Sequence, residues 1–216
     1  MNELAILQRK IVACERCPRL REYCREVAQV KRRAYRDQEY WGKPVPSFGD
    51  PKARVLVLGL APGAHGANRT GRMFTGDKSG EFLYRALYET GFANQAASIS
   101  REDGLTLTGA YISASAHCAP PDNKPSREEL LNCRPYLERE LALLKNVRVV
   151  VALGRIAFDT YLSLVGQRAK FGHNVVHDLT PVLISSYHPS QQNTSTGKLT
   201  ARMLQEVFER ARELSR

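Results

Sequence analysis

Two cysteines in a C-x2-C spacing, Cys14 and Cys17, can bring two thiolates to one metal centre from a tight turn. Cys118 and Cys133 offer two more, the first expected just past a strand end and the second on the helix that follows. A fold that sets the two pairs side by side supplies four thiolates, enough for tetrahedral zinc or an iron–sulfur cluster. The usual zinc-ribbon layout repeats the C-x2-C pair and this chain does not, which favours a cubane cluster. In a reducing compartment, paired cysteines point to metal rather than disulfides. The fifth cysteine, Cys24, falls on a basic helix and reads as a small buried hydrophobe without a ligand role.

A second stretch with chemical potential is VLVLGLAPGAHGANRTGRMFTGDKSG, from Val55 to Gly80. Its first seven residues, to Ala61, are mostly apolar and have the length of a strand buried on both faces. Pro62, Gly63 and Gly66 then form a turn, and glycines there let backbone N–H groups approach an anion or a base. In open α/β sheets, ligands sit where a strand's carboxyl end hands over to a helix. A third candidate is His188-Pro189, placed after a buried strand and before a polar loop.

These residues need a scaffold, and the hydrophobic pattern describes one. Asn2 to Ala13 reads as a short helix, and Pro18 opens a second one running to about Gln38. That helix is strongly basic, with Arg19, Arg21, Arg25, Lys31, Arg32, Arg33 and Arg36, which suits either a solvated or a phosphate-facing surface. WGKPVPSFGDP, Trp41 to Pro51, reads as an ordered loop. Further strands are expected at Leu107–Ser115, Val147–Leu153 and Pro181–Tyr187, with Phe171–Asp178 allowing one short addition. Helices are expected at Glu81–Thr90, from a Ser126/Glu129 capping box to about Lys145, from Gly154 to Leu164, and at Lys198–Ser215. Strands alternating with helices imply parallel pairing and a single-domain, three-layer α/β/α sandwich.

Bulk composition narrows the class. The chain has 216 residues, 43% hydrophobic and 25% charged, an ordinary globular balance. No apolar run approaches the ~20 residues of a membrane span, and Met1–Lys10 lacks a signal-peptide layout, so a cytoplasmic protein free of membranes is expected. Lys and Arg number 32 against 22 Asp and Glu, a net charge of +10, which favours a polyanionic partner such as nucleic acid. A phosphate-binding NTPase is disfavoured, because Gly197-Lys198 is followed by Leu199 and precedes the last helix.

Taken together, the motifs resemble the iron–sulfur uracil-DNA glycosylases, and most closely their family 5 branch. The resemblance rests on Gly59-Leu-Ala-Pro-Gly63 with His65 to Asp77, on Cys14, Cys17, Cys118 and Cys133, on Ala119 to Lys124, and on His188 to Thr194 with Thr196-Gly197. It implies a [4Fe–4S] cluster on those four cysteines, a glycosylase fold with a central four-stranded parallel sheet, and removal of uracil from DNA by a monomer. Hypoxanthine and xanthine are further bases that family 5 resemblance implies. The sister family 4 carries Glu where this chain has Leu60, and an Asn on the second strand where this chain has Ala114.

On this footing the residues take expected roles. Phe74 is the platform under an extruded base, and His188 aims a donor at a uracil carbonyl. The turn Ala61-Pro62-Gly63 frames another edge of the base through the backbone N–H groups of Ala61 and Gly63, and Asn123 replaces the missing strand asparagine as reader. Asp77 and His65 are the candidates to hold the water, with Asp77 also expected to cap the next helix. Arg69 and Arg72 meet backbone phosphates, and Ser190, Gln191, Asn193 and Thr194 lie on the loop that enters the duplex. A non-catalytic iron–sulfur or zinc module that binds nucleic acid is the competing reading.

Overall fold

The computed structural model describes residues 3–216. Helix α1 (Glu3–Val12) and helix α2 (Pro18–Val30) lead into a single 3-10 turn at Arg33–Tyr35. There follow β1 (Phe48–Gly49), β2 (Val55–Gly59), α3 (Ala67–Thr70), α4 (Lys78–Glu89) and β3 (Ala110–Ala114). The second half comprises α5 (Arg127–Leu143), β4 (Val149–Leu153), α6 (Arg155–Leu164), β5 (Val175–His177), β6 (Val182–Ser186), α7 (Gln191–Ser195) and α8 (Ala201–Leu214).

The strands form one six-stranded sheet in the order β1-β3-β2-β4-β6-β5. Its central strands β3, β2, β4 and β6 pair in parallel, as expected. The four parallel strands are only the centre of a mixed sheet, because β1 and β5, the latter within the allowed Phe171–Asp178, add antiparallel edges, with Phe48 opposite Ile112 and Val175 opposite Ser185. β1 lies inside the stretch read as a loop; two residues beside prolines carry too little pattern to register as a strand. Both edges shield the row of unpaired backbone groups that a parallel core would otherwise present.

Side chains alternate along the buried strands, and the alternation builds two cores. Val55, Val57, Ile112, Val149, Val151 and Ile184 face α4 and α8, packing on Leu83, Leu87, Leu204, Val207 and Phe208. Leu56, Leu58, Tyr111, Val150, Ala152 and Leu183 face the opposite way, against Leu4, Leu137, Phe158, Tyr161 and Leu162 of α1, α5 and α6. Three layers result. Ser126 and Glu129 form the expected capping box at the start of α5. Asn2, the expected start of α1, lies outside the described residues.

Helix α2 is shorter than its charge pattern suggests. It stops at Val30, Lys31 takes a positive φ of 54°, and residues 31–42 fold back toward the loop after β2. Nothing in the helical pattern marks this stop, since the turn is set by long-range contacts of Tyr35, Tyr40 and Trp41.

Candidate active site

The parallel strands β2 and β6 end on the same edge of the sheet, and their carboxyl ends carry the two motifs. After Gly59 the chain passes through Leu60–Gly63, and the N–H groups of Ala61, Gly63 and Ala64 find no acceptor among the described residues. Donors left open at strand ends are ready to meet a carbonyl or an anion. Asp77 caps α4, its Oδ1 accepting from the Gly80 N–H at 2.9 Å. Its other oxygen lies against the glycine turn: a Cβ on Gly66 would stand 2.0 Å from Asp77 Oδ2, so this position admits only glycine. Burial raises the Asp77 carboxyl pKa, and the backbone N–H groups of Gly80 and Ser79 partly offset that rise.

Phe74 and His188 meet. Their ring centroids are 5.9 Å apart with planes tilted by 30°. Phe74 holds a positive φ of 52°, a costly backbone state for a bulky residue. Gly59 makes room for its ring, since a Cβ there would lie 2.8 Å from Phe74 Cε2 and Cζ. His188 follows β6, and its backbone carbonyl accepts from Asn193 Nδ2 at 2.9 Å. Neither ring nitrogen of His188 bonds to another described residue. Although solvent reaches the rim of the imidazole, the ring is enclosed on most sides, and burial pushes its pKa down to about 4. At neutral pH it is a neutral imidazole with one N–H to give.

Behind His188 stands a residue that the sequence did not single out. His173 Nδ1 accepts from the Tyr187 N–H at 3.3 Å, and the two rings stack at 5.0 Å and 22°. The contact fixes the backbone that presents His188. No local periodicity announces it, because the partners are fourteen residues apart and belong to different segments.

The other expected site residues fall in several places. His65 is near the turn, but its Nδ1 pairs with the Tyr40 hydroxyl at 3.0 Å, and burial, Arg32 and Arg69 together lower its pKa. Arg69, expected at backbone phosphates, is half-buried; its guanidinium donates to the His65 and Gly76 carbonyls and lies 4.0 Å above the Tyr35 ring. Arg72 is a plain correction, because it is 3% exposed and locked into a two-point pair with Asp103 at 2.8 and 2.7 Å. It faces Phe48, Thr75 and Ser98, where no phosphate can reach it. Asn123 is exposed in a 3-10 turn at positive φ, next to Lys124, whose carbonyl accepts from Arg19 of α2. No contact joins Asn123 to Phe74 or His188. Ser190 caps the short helix α7, Thr194 bonds back to Ser190, and Asn193 points inward, leaving Gln191 as the exposed member of that set.

The broad grooves of the surface lie away from this convergence. One of about 600 Å³ is lined by Glu15, Arg21, Glu22 and Arg25, charges that largely pair with one another. Another, of about 440 Å³, separates α4 from α7 and borders the His188 loop through Gln191 and Thr194.

The cysteines gather on the far side of α2. Cys17 caps α2, Cys118 leaves β3, and Cys133 sits on α5, with Cys17 and Cys118 in one cluster beside Leu20 and Cys24. Cys14 joins Cys17 and Cys133 closely enough for each to feel the others' charge. All five are free thiols, and Cys24 rests its sulfur 3.6 Å from the Ala119 carbonyl. Among the described residues no three His, Cys, Asp or Glu side chains are gathered tightly enough for a single metal ion. The donor set is four thiols from three separate segments, the chemistry that a zinc ion or an iron–sulfur cluster takes.

Fold and site define a class: an α/β protein that gathers open backbone donors, an aromatic ring and a neutral imidazole at the carboxyl ends of parallel strands. Residues 46–212 match the uracil DNA glycosylase superfamily, and the chain belongs to it. It is 50% identical to the type-5 uracil-DNA glycosylase of Thermus thermophilus, over 100% of this chain and 99% of that protein. Identity is 49% to the type-5 enzyme of Mycobacterium tuberculosis, over 95% and 79% of the two chains. For the type-5 enzyme of Pyrobaculum aerophilum it is 47%, over 94% and 89%.

Proposed function

We propose that this protein flips uracil out of DNA and hydrolyses its N-glycosidic bond, leaving an abasic site. The observation that carries the reading is the pairing of Phe74 with a neutral, unpartnered His188 at the carboxyl ends of β2 and β6. Extrusion costs a few kcal/mol of stacking, and a base laid on Phe74 recovers part of it. When the bond from N1 to the sugar breaks, its electron pair stays with uracil and the sugar becomes oxocarbenium-like. The His188 N–H stabilises the charge that builds on the uracil carbonyl oxygen. Open N–H groups of Ala61, Gly63 and Ala64 take the opposite edge. Water then adds to the sugar carbon, and the proton it loses ends, by way of solvent, on the departing uracil anion. Asp77 keeps one carboxylate oxygen beside Gly63 and Gly66 for that water, whereas His65 is engaged with Tyr40. Leu60 and Ala114 add no polar group that would reject other bases, so hypoxanthine and xanthine belong in the substrate range.

The test is incubation with a uracil-containing duplex followed by alkali. Strand breaks at uracil are the expected result; binding without breaks supports a non-catalytic nucleic-acid module instead. Within the same assay, Gly59→Ala presses a methyl group into the Phe74 ring and is expected to slow single-turnover cleavage by about 5- to 150-fold, about the 1–3 kcal/mol that one base–aromatic stack is worth. A rate within twofold of the native one removes Phe74 as the platform.

Cys14, Cys17, Cys118 and Cys133 would hold a [4Fe–4S] cluster. When bound, its part is structural: four covalent bonds tying the α1–α2 junction to β3 and α5. The purified protein is expected to show broad absorbance in the visible blue, with bound iron and sulfide. A colourless protein containing zinc would refute the cluster assignment.

A further inference from the structure

We infer that the turn Lys31–Arg36 is a phosphate-binding ridge that seats the DNA backbone beside the glycine turn. The inference rests on the reading of this protein as one that acts on DNA. Arg32, Arg33 and Arg36 are exposed, and none has an acidic partner among the described residues. Several exposed arginines elsewhere do have acidic partners, among them Arg85 with Glu89, Arg155 with Asp159 and Arg202 with Glu206. Asp37 and Glu39 follow the ridge in sequence, yet neither forms an ion pair with it. Holding like charges together without partners is unfavourable unless a polyanion completes the surface.

The ridge is also fixed in place relative to the site. Lys31 Nζ donates to the Arg36 carbonyl at 3.2 Å and closes the turn. The Arg32 N–H donates to the Tyr40 hydroxyl at 3.4 Å, and that hydroxyl pairs with His65 Nδ1. Tyr35 lies flat beneath the Arg69 guanidinium, which in turn holds the His65 and Gly76 carbonyls. Trp41 and Gly42 donate their N–H groups to the carbonyls of Arg69 and Asn68. Apart from the Lys31 bond that closes the turn, these contacts end on the segment from His65 to Gly76. A phosphate bound on the ridge is therefore held in fixed register with the turn that receives the base. This gives the half-buried Arg69 a purpose: it braces the segment that meets the DNA.

The experiment measures equilibrium binding of the full-length protein to a uracil-free duplex across a salt series, so it does not depend on excision. The variant Arg32→Gln/Arg33→Gln/Arg36→Gln is compared with Arg134→Gln/Arg155→Gln/Arg202→Gln, which removes the same charge from paired positions. Each phosphate contact contributes about 0.9 to the slope of log affinity against log salt. The ridge variant is expected to lose about 2–3 from that slope and the control to lose less than about 0.5. Arg33→Gln and Arg36→Gln alone should each lose about 0.9, which guards against misfolding of the triple variant. Equal losses in ridge variant and control, or no loss in either, overturn the ridge. A native protein that binds duplex with the expected slopes but never cleaves at uracil leaves the ridge standing and removes the glycosylase reading.

Discussion

His188→Ala lowers single-turnover excision of uracil by about 10²–10³-fold, the usual cost of deleting one preorganised donor to a developing anion. Binding of uracil-free duplex should change little, because the imidazole is recessed behind the surface. The pH dependence separates the neutral donor from a charged one. Burial holds the folded pKa near 4, below the unperturbed value of about 6.5. The native rate is therefore expected to show no inflection from His188 between pH 5.5 and 8. An inflection near 6–7 that vanishes in His188→Asn would show that the imidazolium is the working form. The same depressed pKa affects stability. The unfolded chain takes up this proton first, so stability is lost as pH falls from about 6.5 toward 4. His188→Asn should lessen that acid-side loss, a readout independent of activity.

Arg72→Met should destabilise the fold by about 3 kcal/mol at pH 7, because it leaves the largely enclosed Asp103 carboxylate without its counter-charge. Burial by itself would raise Asp103, but the Arg72 hydrogen bonds and the N–H groups of Leu105, Ile99 and Ser100 hold it well below its ordinary value. A carboxyl with a depressed pKa contributes stability above its unfolded pKa of about 3.9 and loses it as pH falls toward the folded value. The gap between native and variant in urea unfolding should therefore be full at pH 7 and narrow below about pH 4. Were Arg72 a phosphate contact instead, the variant would keep its unfolding midpoint and lose part of its salt-dependent affinity for DNA. The pair secures the loop from Ser98 to Leu105 against Phe48, Thr75 and the segment bearing Phe74. Its loss should thus reach excision indirectly, through the platform.

Much of this protein was determined by the sequence alone. The central strands are continuous apolar runs, which only a doubly covered parallel sheet can bury, and Ser126 with Glu129 marks a helix start by neighbours three residues apart. The glycines around Phe74, and a histidine directly after a buried strand, were visible as a candidate site for the same reason: their chemistry is carried by short spacings. The tertiary structure decided the rest. Arg72 and Arg69 look alike on the page, two cations in one glycine-rich turn, yet Asp103 and Tyr35 make one a buried strut and the other a brace. The edge strands, the early stop of α2 and the stacking of His173 on Tyr187 likewise depend on partners brought close only by folding. Local propensity is worth tenths of a kcal/mol per residue, and burying or pairing a charge is worth several, so the distant partner prevails.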